Sequence, residues 1–229
     1  MSNLRDAIVR MALRRPYLYL LVTLVISIVL MEVLVEIAEH TFIKPALQQL
    51  ELQFIAYVQQ FVTPPLTAEV MLVTASGSST FYLLASALVC CWYLYSRQKD
   101  RLYLYLVCLC GGGILNQVLK RIFERVRPDI FPVIAESGYS FPSGHAMGAI
   151  CFYGILAYFA GLGLRSKPLR WGFMAAAGIY ILLIGLSRVY LGVHYPTDIL
   201  AGYAAGATWL FFCITLHRIF RKHYYRKIE

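Results

Sequence analysis

The chain has 229 residues, a length that fits one domain, and 59% of them are hydrophobic while only 14% are charged. Soluble domains carry about 25% charged residues, so this composition indicates a membrane protein. The net charge of +9 is compatible with nucleic acid or an anionic membrane surface, and the positions of the basic residues favour the bilayer over nucleic acid as the partner.

Six apolar segments are long enough to cross a bilayer as helices, which takes about 20 residues each. They are roughly 17–38, 68–96, 102–120, 145–162, 171–190 and 197–216. The first lacks a small-residue cleavage site and is predicted to be a retained helix rather than a signal peptide. The pattern predicts an all-α fold, a six-transmembrane-helix bundle forming one integral-membrane domain over residues 1–229.

Residues 41–63, between the first two spans, have a different pattern. Apolar residues recur there at helical spacing, while glutamines and Glu51 fill the other side. This pattern predicts an amphipathic helix lying in the membrane interface. Such a helix either shapes lipid entry or forms a cap packed on the bundle.

The basic residues predict the orientation. Most of the 21 Lys and Arg residues fall in the N-terminal tail, the turns at 97–101 and 165–170, and the C-terminal tail. If the chain crosses the membrane six times, these regions lie on the same side of it. Because basic loops are retained in the cytoplasm, that side is predicted to be cytoplasmic. A cell (inner) membrane protein with both termini in the cytoplasm is expected. The basic residues on the outer side lie mostly in three polar clusters.

The first cluster follows the third span and contains Lys120, Arg127 and Pro128. If the helix continues past Lys120, seven residues turn it through about 700°, which places Lys120 and Arg127 on one face. Two cations on one face can hold a dianionic phosphate, and Arg adds a fork of donors. By itself the cluster equally fits a solvated basic helix end beside anionic headgroups.

The second cluster precedes the fourth span and contains Ser143, Gly144 and His145. Ser143 is predicted to cap the helix, and Gly144 permits close backbone approach. Free N–H groups at a helix start can bind phosphate. His145, in the first turn, can give a proton to a leaving oxygen. The alternative is an ordinary helix cap with an interfacial histidine.

The third cluster contains Arg188 at the end of the fifth span, and His194 and Asp198 at the start of the sixth. Their spacing of four predicts that His194 and Asp198 share one helical face. Asp198 can accept a proton from one imidazole nitrogen and leave the other as a nucleophile. The alternative is a pair that only ties two helix ends together, although ionisable groups at membrane depth are usually functional.

The number of spans places all three clusters on one outer face. Three cations, a helix N-terminus, two histidines and a carboxylate suit phosphoryl transfer through a phosphohistidine. The sequence offers no carboxylate cluster suited to Mg²⁺, and its six cysteines lack metal-ligand spacing and are predicted to be packing residues. No metal or other cofactor is expected.

Lys120-x6-Arg127-Pro128, Pro142-Ser143-Gly144-His145 and Ser187-Arg188-x5-His194-x3-Asp198 resemble the three signatures of the type 2 phosphatidic acid phosphatases (PAP2), in order and in spacing. The resemblance covers roughly residues 68–216. It implies a six-helix membrane fold and metal-independent removal of phosphate from lipids. Overall, the sequence is similar to bacterial members that act on phosphatidylglycerol phosphate or undecaprenyl pyrophosphate.

The resemblance also implies residue roles. His194 would be the nucleophile, Asp198 its orienting partner and His145 the general acid. The residues implied to hold the substrate phosphate are Lys120, Arg127, Ser143, Gly144 and Arg188.

Three alternatives to a lipid phosphatase remain open. A lipid phosphotransferase would use the same phosphohistidine but pass the group to an acceptor other than water. The related vanadium haloperoxidases share the motifs but are soluble, so six spans argue against them. A lipid or anion transporter would need a polar path through the bilayer, whereas the polar residues here cluster at one end of the helices.

Overall fold

The computed structural model describes residues 16–43, 45–129 and 132–225. The basic tail residues Arg5, Arg10, Arg14, Arg15, Arg226 and Lys227, from which the cytoplasmic termini were partly predicted, lie outside these ranges. Within them the fold is all-α, as predicted, and no β-strand occurs. The helices in chain order are α1 Pro16–Ile43, α2 Pro45–Gln59, α3 Pro64–Ala75, α4 Ser79–Tyr95, α5 Lys99–Phe123, α6 Gly144–Gly163, α7 Lys167–Tyr190 and α8 Pro196–Tyr225.

Four of these helices, α5 to α8, are each long and apolar enough to cross a membrane. Helices α3 and α4 form a fifth candidate span, bent by 49° at the break between them. Helix α1 has 28 residues and coincides with the first predicted span. The described residues therefore support an integral-membrane bundle, while the count of six spans stays a prediction.

The bend between α3 and α4 falls at the interruption seen in the sequence, and it serves packing. Gly77 lies in this break, and a Cβ placed on it would come within 3.0 Å of the His145 ring. Ser76 donates to the carbonyl of Val73 and bonds the Tyr180 hydroxyl at 2.7 Å. Because Gly77 has no side chain, the bend can approach the start of α6 closely.

Glycines hold α8 against α6. A Cβ on Gly202 would lie 2.7 Å from the carbonyl oxygen of Ser143, and one on Gly206 would lie 3.0 Å from that of Met147. The two glycines are four residues apart, so they face one side of α8. Close backbone approach of this kind is how helices associate in membranes. It joins the start of α6 directly to the start of α8.

Helix α5 continues past Lys120, the predicted end of the third span, but it does not reach Arg127. It stops at Phe123, and Glu124 adopts a left-handed conformation with φ of 44°. Further helix is unfavourable because the Pro128 ring would clash with the carbonyl of Glu124. The carbonyl of Arg125 instead accepts from the backbone N–H of Ser140 at 2.7 Å. Lys120 and Arg127 therefore do not share a helical face, because the continuous helix on which that expectation depended ends before Arg127.

Helix α2 packs on the bundle, contacting α1 and α7. Ile55 and Glu51, one turn apart, are both buried, while Leu50, Phe54 and Tyr57 are exposed. The outward-facing apolar residues fit the predicted interfacial helix, whereas Glu51, which was expected on the polar side, points into the protein. The amide of Gln59 donates to the carbonyl of Tyr190 at 3.0 Å and fixes the end of the helix.

Candidate active site

The three sequence clusters meet at one end of the bundle. Arg127 from the loop after α5 reaches His194, with Nη1 3.1 Å from Nε2. The backbone N–H of Ser143, just before α6, donates to the carbonyl of Asp198 at 2.9 Å. The convergence inferred from the sequence is therefore present, although it is produced by loops and helix ends rather than by one helical face.

His194 precedes α8 instead of lying within it, contrary to the sequence prediction. Pro196 opens the helix, a position that suits proline because the first helical N–H needs no partner. Gly192, with φ of 71°, turns the chain just before His194. The expected pairing with Asp198 nevertheless forms, with Nδ1 3.2 Å from Oδ2.

Asp198 is fully buried, and its carboxylate has a partner on each side. Oδ2 accepts from the backbone N–H of Tyr195 at 2.9 Å and from the Ser140 hydroxyl. Oδ1 accepts from Nη1 of Arg125 at 2.5 Å. With these donors the carboxylate is held in a fixed orientation beneath the imidazole ring.

The hydrogen bonds determine the tautomer of His194. Arg127 can only donate, so Nε2 accepts and carries the lone pair, and the ring proton lies on Nδ1 facing Asp198. Burial lowers the pKa of His194 to about 3 because the charged imidazolium would lose its hydration. The ring is therefore neutral at physiological pH, with Nε2 available as a nucleophile.

Lys120 and Arg127 are brought together by the chain after them. Lys120 Nζ donates to the carbonyl of Tyr139 at 2.6 Å, and Arg127 Nε donates to that of Gly138 at 3.0 Å. Arg127 Nη1 also donates to the carbonyl of Val193 at 2.9 Å. Two consecutive carbonyls thus align the cations beside the histidine, which replaces the shared helical face expected from spacing.

Arg188 is buried near the end of α7, as predicted. Its Nη1 donates to the hydroxyl of Thr74 at 2.6 Å. Its Nη2 forms an ion pair with Glu136, whose other oxygen lies 3.2 Å from Arg127 Nη2. One carboxylate therefore bridges two of the cations that were predicted to hold phosphate.

Ser143 caps α6 as predicted, accepting from the backbone N–H of Ala146 at 3.4 Å. A Cβ on Gly144 would lie 3.1 Å from Asn116 Oδ1, so a larger residue has little room there. The amide of Asn116 also donates to the carbonyl of Pro142 at 3.2 Å. His145 follows in the first turn, packed against the bend at Gly77.

Sequence reasoning missed several residues that complete this site. Arg125 lies inside the first cluster and Ser140 just before the second, but neither was given a role, because their partner Asp198 is 73 and 58 positions away along the chain. The other missed residues are Glu51, Thr74, Asn116 and Glu136. In the sequence, only their polarity in an apolar chain distinguishes them.

The assembled end of the bundle combines a neutral histidine, a carboxylate that orients its ring, three cations and a helix N-terminus. Preorganised donors around a nucleophile suit stabilisation of a transferring phosphoryl group. The described residues contain no group of three or more His, Cys, Asp or Glu side chains placed to hold a metal ion. The fold and site define the class as a membrane-embedded phosphoryl-transfer enzyme.

Comparison with known proteins agrees with this class. The family model of the PAP2 superfamily matches residues 101–222. Phosphatidylglycerophosphatase B of Bacillus subtilis is 40% identical over 156 residues, 67% of this chain and 76% of that protein. An undecaprenyl-diphosphatase of Sulfolobus acidocaldarius is 33% identical over 110 residues, covering 47% of this chain and 48% of that protein.

The fold also matches a solved structure. The crystal structure of a transmembrane PAP2-type phosphatidylglycerolphosphate phosphatase from Bacillus subtilis superposes with a TM-score of 0.77 at 31% identity. The match covers 89% of this chain and 97% of that one. The chain belongs to the PAP2 superfamily, and it is a metal-independent membrane lipid phosphatase.

Proposed function

We propose that this phosphatase uses His194 as the nucleophile and passes through a phosphohistidine. The observation that carries the proposal is the pair of partners on the His194 ring, Arg127 at Nε2 and Asp198 at Nδ1. The Nε2 lone pair of the ring lies next to Arg127, while its Nδ1 proton is held by Asp198. A neutral, oriented imidazole beside a cation is the arrangement that attack on a phosphoryl group requires.

In the first step Nε2 attacks phosphorus, and the bond from phosphorus to the leaving lipid oxygen breaks. His145 takes up a proton once the substrate dianion offsets the charges of Lys120 and Arg127, and it gives this proton to that oxygen, which leaves as a hydroxyl or a phosphate group. The nonbridging oxygens bear the charge and lie against Lys120, Arg127 and Arg188. The N–H groups at the start of α6, behind Ser143 and Gly144, add donors. Asp198 stabilises the positive charge that develops on the imidazole.

In the second step water attacks phosphorus from the opposite side. His145, now neutral, accepts a proton from this water, and the bond between phosphorus and Nε2 breaks. The electron pair returns to His194, inorganic phosphate departs, and the enzyme is restored. The same side chains therefore serve both steps, and only the role of His145 is reversed.

Phosphatidylglycerol phosphate is the substrate that we place first. The relative named for it is 40% identical and is matched over 76% of its length. Undecaprenyl pyrophosphate is the second candidate, supported by the relative matched over 48% of its length. Phosphatidic acid completes the set expected for such a site. We place the protein in the cell (inner) membrane as one domain, with both termini cytoplasmic and the site at the outer face.

The test is phosphate release from these three lipids by the purified protein in the presence of EDTA, for wild type and for His194→Ala. We expect wild-type turnover, highest on phosphatidylglycerol phosphate, and at least a thousandfold loss in His194→Ala, since removing a nucleophile leaves only residual catalysis. A brief incubation with labelled lipid should leave acid-labile label on wild type alone.

Near-wild-type phosphate release by His194→Ala would overturn the assignment of the nucleophile. Loss of wild-type activity in EDTA would contradict a mechanism that relies on cations of the chain itself. Consumption of lipid that yields a phosphorylated acceptor instead of free phosphate would identify a phosphotransferase. The folded state of the variant is checked by its elution from a size-exclusion column.

A further inference from the structure

Arg125 is a buried arginine beside the proposed nucleophile, although the mechanism above gives it no role. Its Nη1 donates to Asp198 Oδ1 at 2.5 Å and to the hydroxyl of Thr197 at 2.9 Å. Its guanidinium lies 3.8 Å from the ring centroid of Tyr195. These contacts fix the fork of donors on the side of Asp198 that faces away from His194.

Glu51 neutralises this arginine from a different element. It extends from α2, is buried, and places Oε2 2.6 Å from Arg125 Nη2. Its other oxygen accepts from the backbone N–H and the hydroxyl of Thr197, at 3.0 and 2.5 Å. That carboxylate therefore also binds the N-terminus of α8, where the helix dipole favours negative charge.

We propose that Glu51 and Arg125 are positioning residues, which hold the Asp198–His194 pair in its reactive geometry through a chain of contacts in which Glu51, Arg125 and Asp198 carry alternating charges. The order is Glu51, Arg125, Asp198 and His194, and each member contacts the next. This inference rests on the proposed function, because it assigns a purpose to these contacts only if His194 is the nucleophile.

The burial of both charges supports a role beyond stability. Buried ion pairs contribute little net stability, because desolvation offsets their attraction. A single buried arginine next to Asp198 would compete with the imidazole for the carboxylate. Glu51 binds part of the guanidinium, so one oxygen of Asp198 bonds Arg125 and the other remains bonded to His194. The balance of charge among Glu51, Arg125 and Asp198 therefore fixes the geometry of the Asp198–His194 pair.

The element that contributes Glu51 gives the arrangement a consequence for lipid binding. Helix α2 exposes Leu50, Phe54 and Tyr57, next to the buried Glu51 and Ile55. One face of the helix is thus available to the bilayer while the other holds the nucleophile in place. The reactive geometry depends on α2 being seated on the bundle.

The experiment compares kcat and KM for phosphatidylglycerol phosphate in wild type, Glu51→Gln, Arg125→Gln and the double variant. Gln at 51 keeps the shape and still accepts from Thr197, but it removes the charge. Glu69→Gln is the matched control, an exposed carboxylate on α3 changed in the same way. Arg125→Lys restores the charge without the fork, and thermal unfolding of each variant gives its folded fraction.

We expect kcat to fall about tenfold in Glu51→Gln and about a hundredfold in Arg125→Gln, with KM within about twofold, since outer partners of a reactive group have effects of this size. The losses should not multiply in the double variant, because the residues act on one another. Arg125→Lys should recover part of kcat, and Glu69→Gln should match wild type.

The acid limb of the kcat/KM profile gives a second measurement that a purely structural role would not change. Removing the positive charge of Arg125 favours protonation of the Asp198–His194 pair, so the limb should move to higher pH. Removing the negative charge of Glu51 should move it to lower pH. The other charged or titratable groups around the pair are unchanged in these variants, and they are Lys120, Arg127, Glu136, His145 and Arg188.

Shifts of the same sign, multiplicative losses, or a change confined to KM would overturn the inference. So would losses that match the fall in folded fraction. A failure of the proposed function gives a different result, since wild type would then release no phosphate from any of the three lipids, or His194→Ala would remain active.

Discussion

Glu136 places a carboxylate between Arg127 and Arg188, the two arginines assigned to the substrate phosphate. A carboxylate and a phosphate offer the same kind of charged acceptor to a guanidinium. Both cannot occupy the same donors, so binding of the phosphate as proposed requires Glu136 to move aside. The loop that carries it lies partly exposed at the end of the bundle, where such a movement requires little rearrangement.

Replacing Glu136 with Gln should therefore tighten substrate binding. The amide keeps the size of the side chain but competes weakly with a dianion for the arginines. We expect KM to fall about fivefold, equivalent to about 1 kcal/mol, and the inhibition constant of inorganic phosphate to fall with it. Initial-rate kinetics with and without added phosphate measure both quantities.

Glu124→Gln is the matched control for this prediction. Its carboxylate lies at the same end of the protein but accepts from the Tyr139 hydroxyl at 2.9 Å rather than from an arginine. It should leave KM unchanged. An increase of KM in Glu136→Gln would mean that the carboxylate supports the bound substrate instead of competing with it.

Residue types and motif spacing predicted which residues come together better than they predicted how those residues are arranged. His194, Asp198 and Arg127 were found because their motif spacing points to phosphate chemistry, and they do converge. Glu51 and Arg125 were missed as partners because 74 residues separate them. A contact of that range depends on how the helices pack, and sequence periodicity does not encode it.

At the scale of the element, hydropathy located the helices well but not their ends. The predicted span 145–162 corresponds to Gly144–Gly163, whereas 197–216 corresponds to a helix that continues to Tyr225. The extra turns are basic and lie beyond the apolar window, so hydropathy does not detect them. Helix α5 passes the predicted end at residue 120 but stops before Arg127, because the left-handed Glu124 and the backbone pairing of Arg125 with Ser140 interrupt the helix.

The contact of α8 with α6 gives a prediction about glycine. Alanine at Gly202 would place a Cβ 2.7 Å from the backbone of Ser143, so one helix must shift. The shift would separate the Ser143 end of α6 from Asp198. We expect Gly202→Ala to destabilise the protein by about 2 kcal/mol, which lowers the midpoint of thermal unfolding, and to lower kcat as well. Both quantities are measured on the detergent-solubilised protein.

Gly113→Ala is the control, because that helical glycine on α5 has open space around the added methyl group. Alanine is favoured over glycine within a helix by about 0.5 to 1 kcal/mol. The control should be as stable as wild type or slightly more so, with unchanged kcat. Equal behaviour of the two variants would show that the glycine contact does not hold the site together.

At the scale of the whole molecule, basic residues gather at both ends of the bundle. The site, with Arg127, Arg188 and Lys120, lies where α5 and α7 end. The opposite end holds the turn between α4 and α5, where a cleft is lined by Arg97, Lys99 and Arg101. Basic turns are retained on the cytoplasmic side of membranes, which supports the proposed orientation with that end inside and the site outside.

This orientation predicts which single cysteine reacts in intact cells. Ser137 is exposed on the site loop, and Ser166 is exposed in the turn before α7, at the other end. A membrane-impermeant maleimide should label Ser137→Cys in intact cells and Ser166→Cys only after permeabilisation. Wild type supplies the background, because its six free cysteines remain in both variants. Labelling of Ser166→Cys in intact cells, with Ser137→Cys protected, would place the site in the cytoplasm and require its lipid to be taken from the inner leaflet.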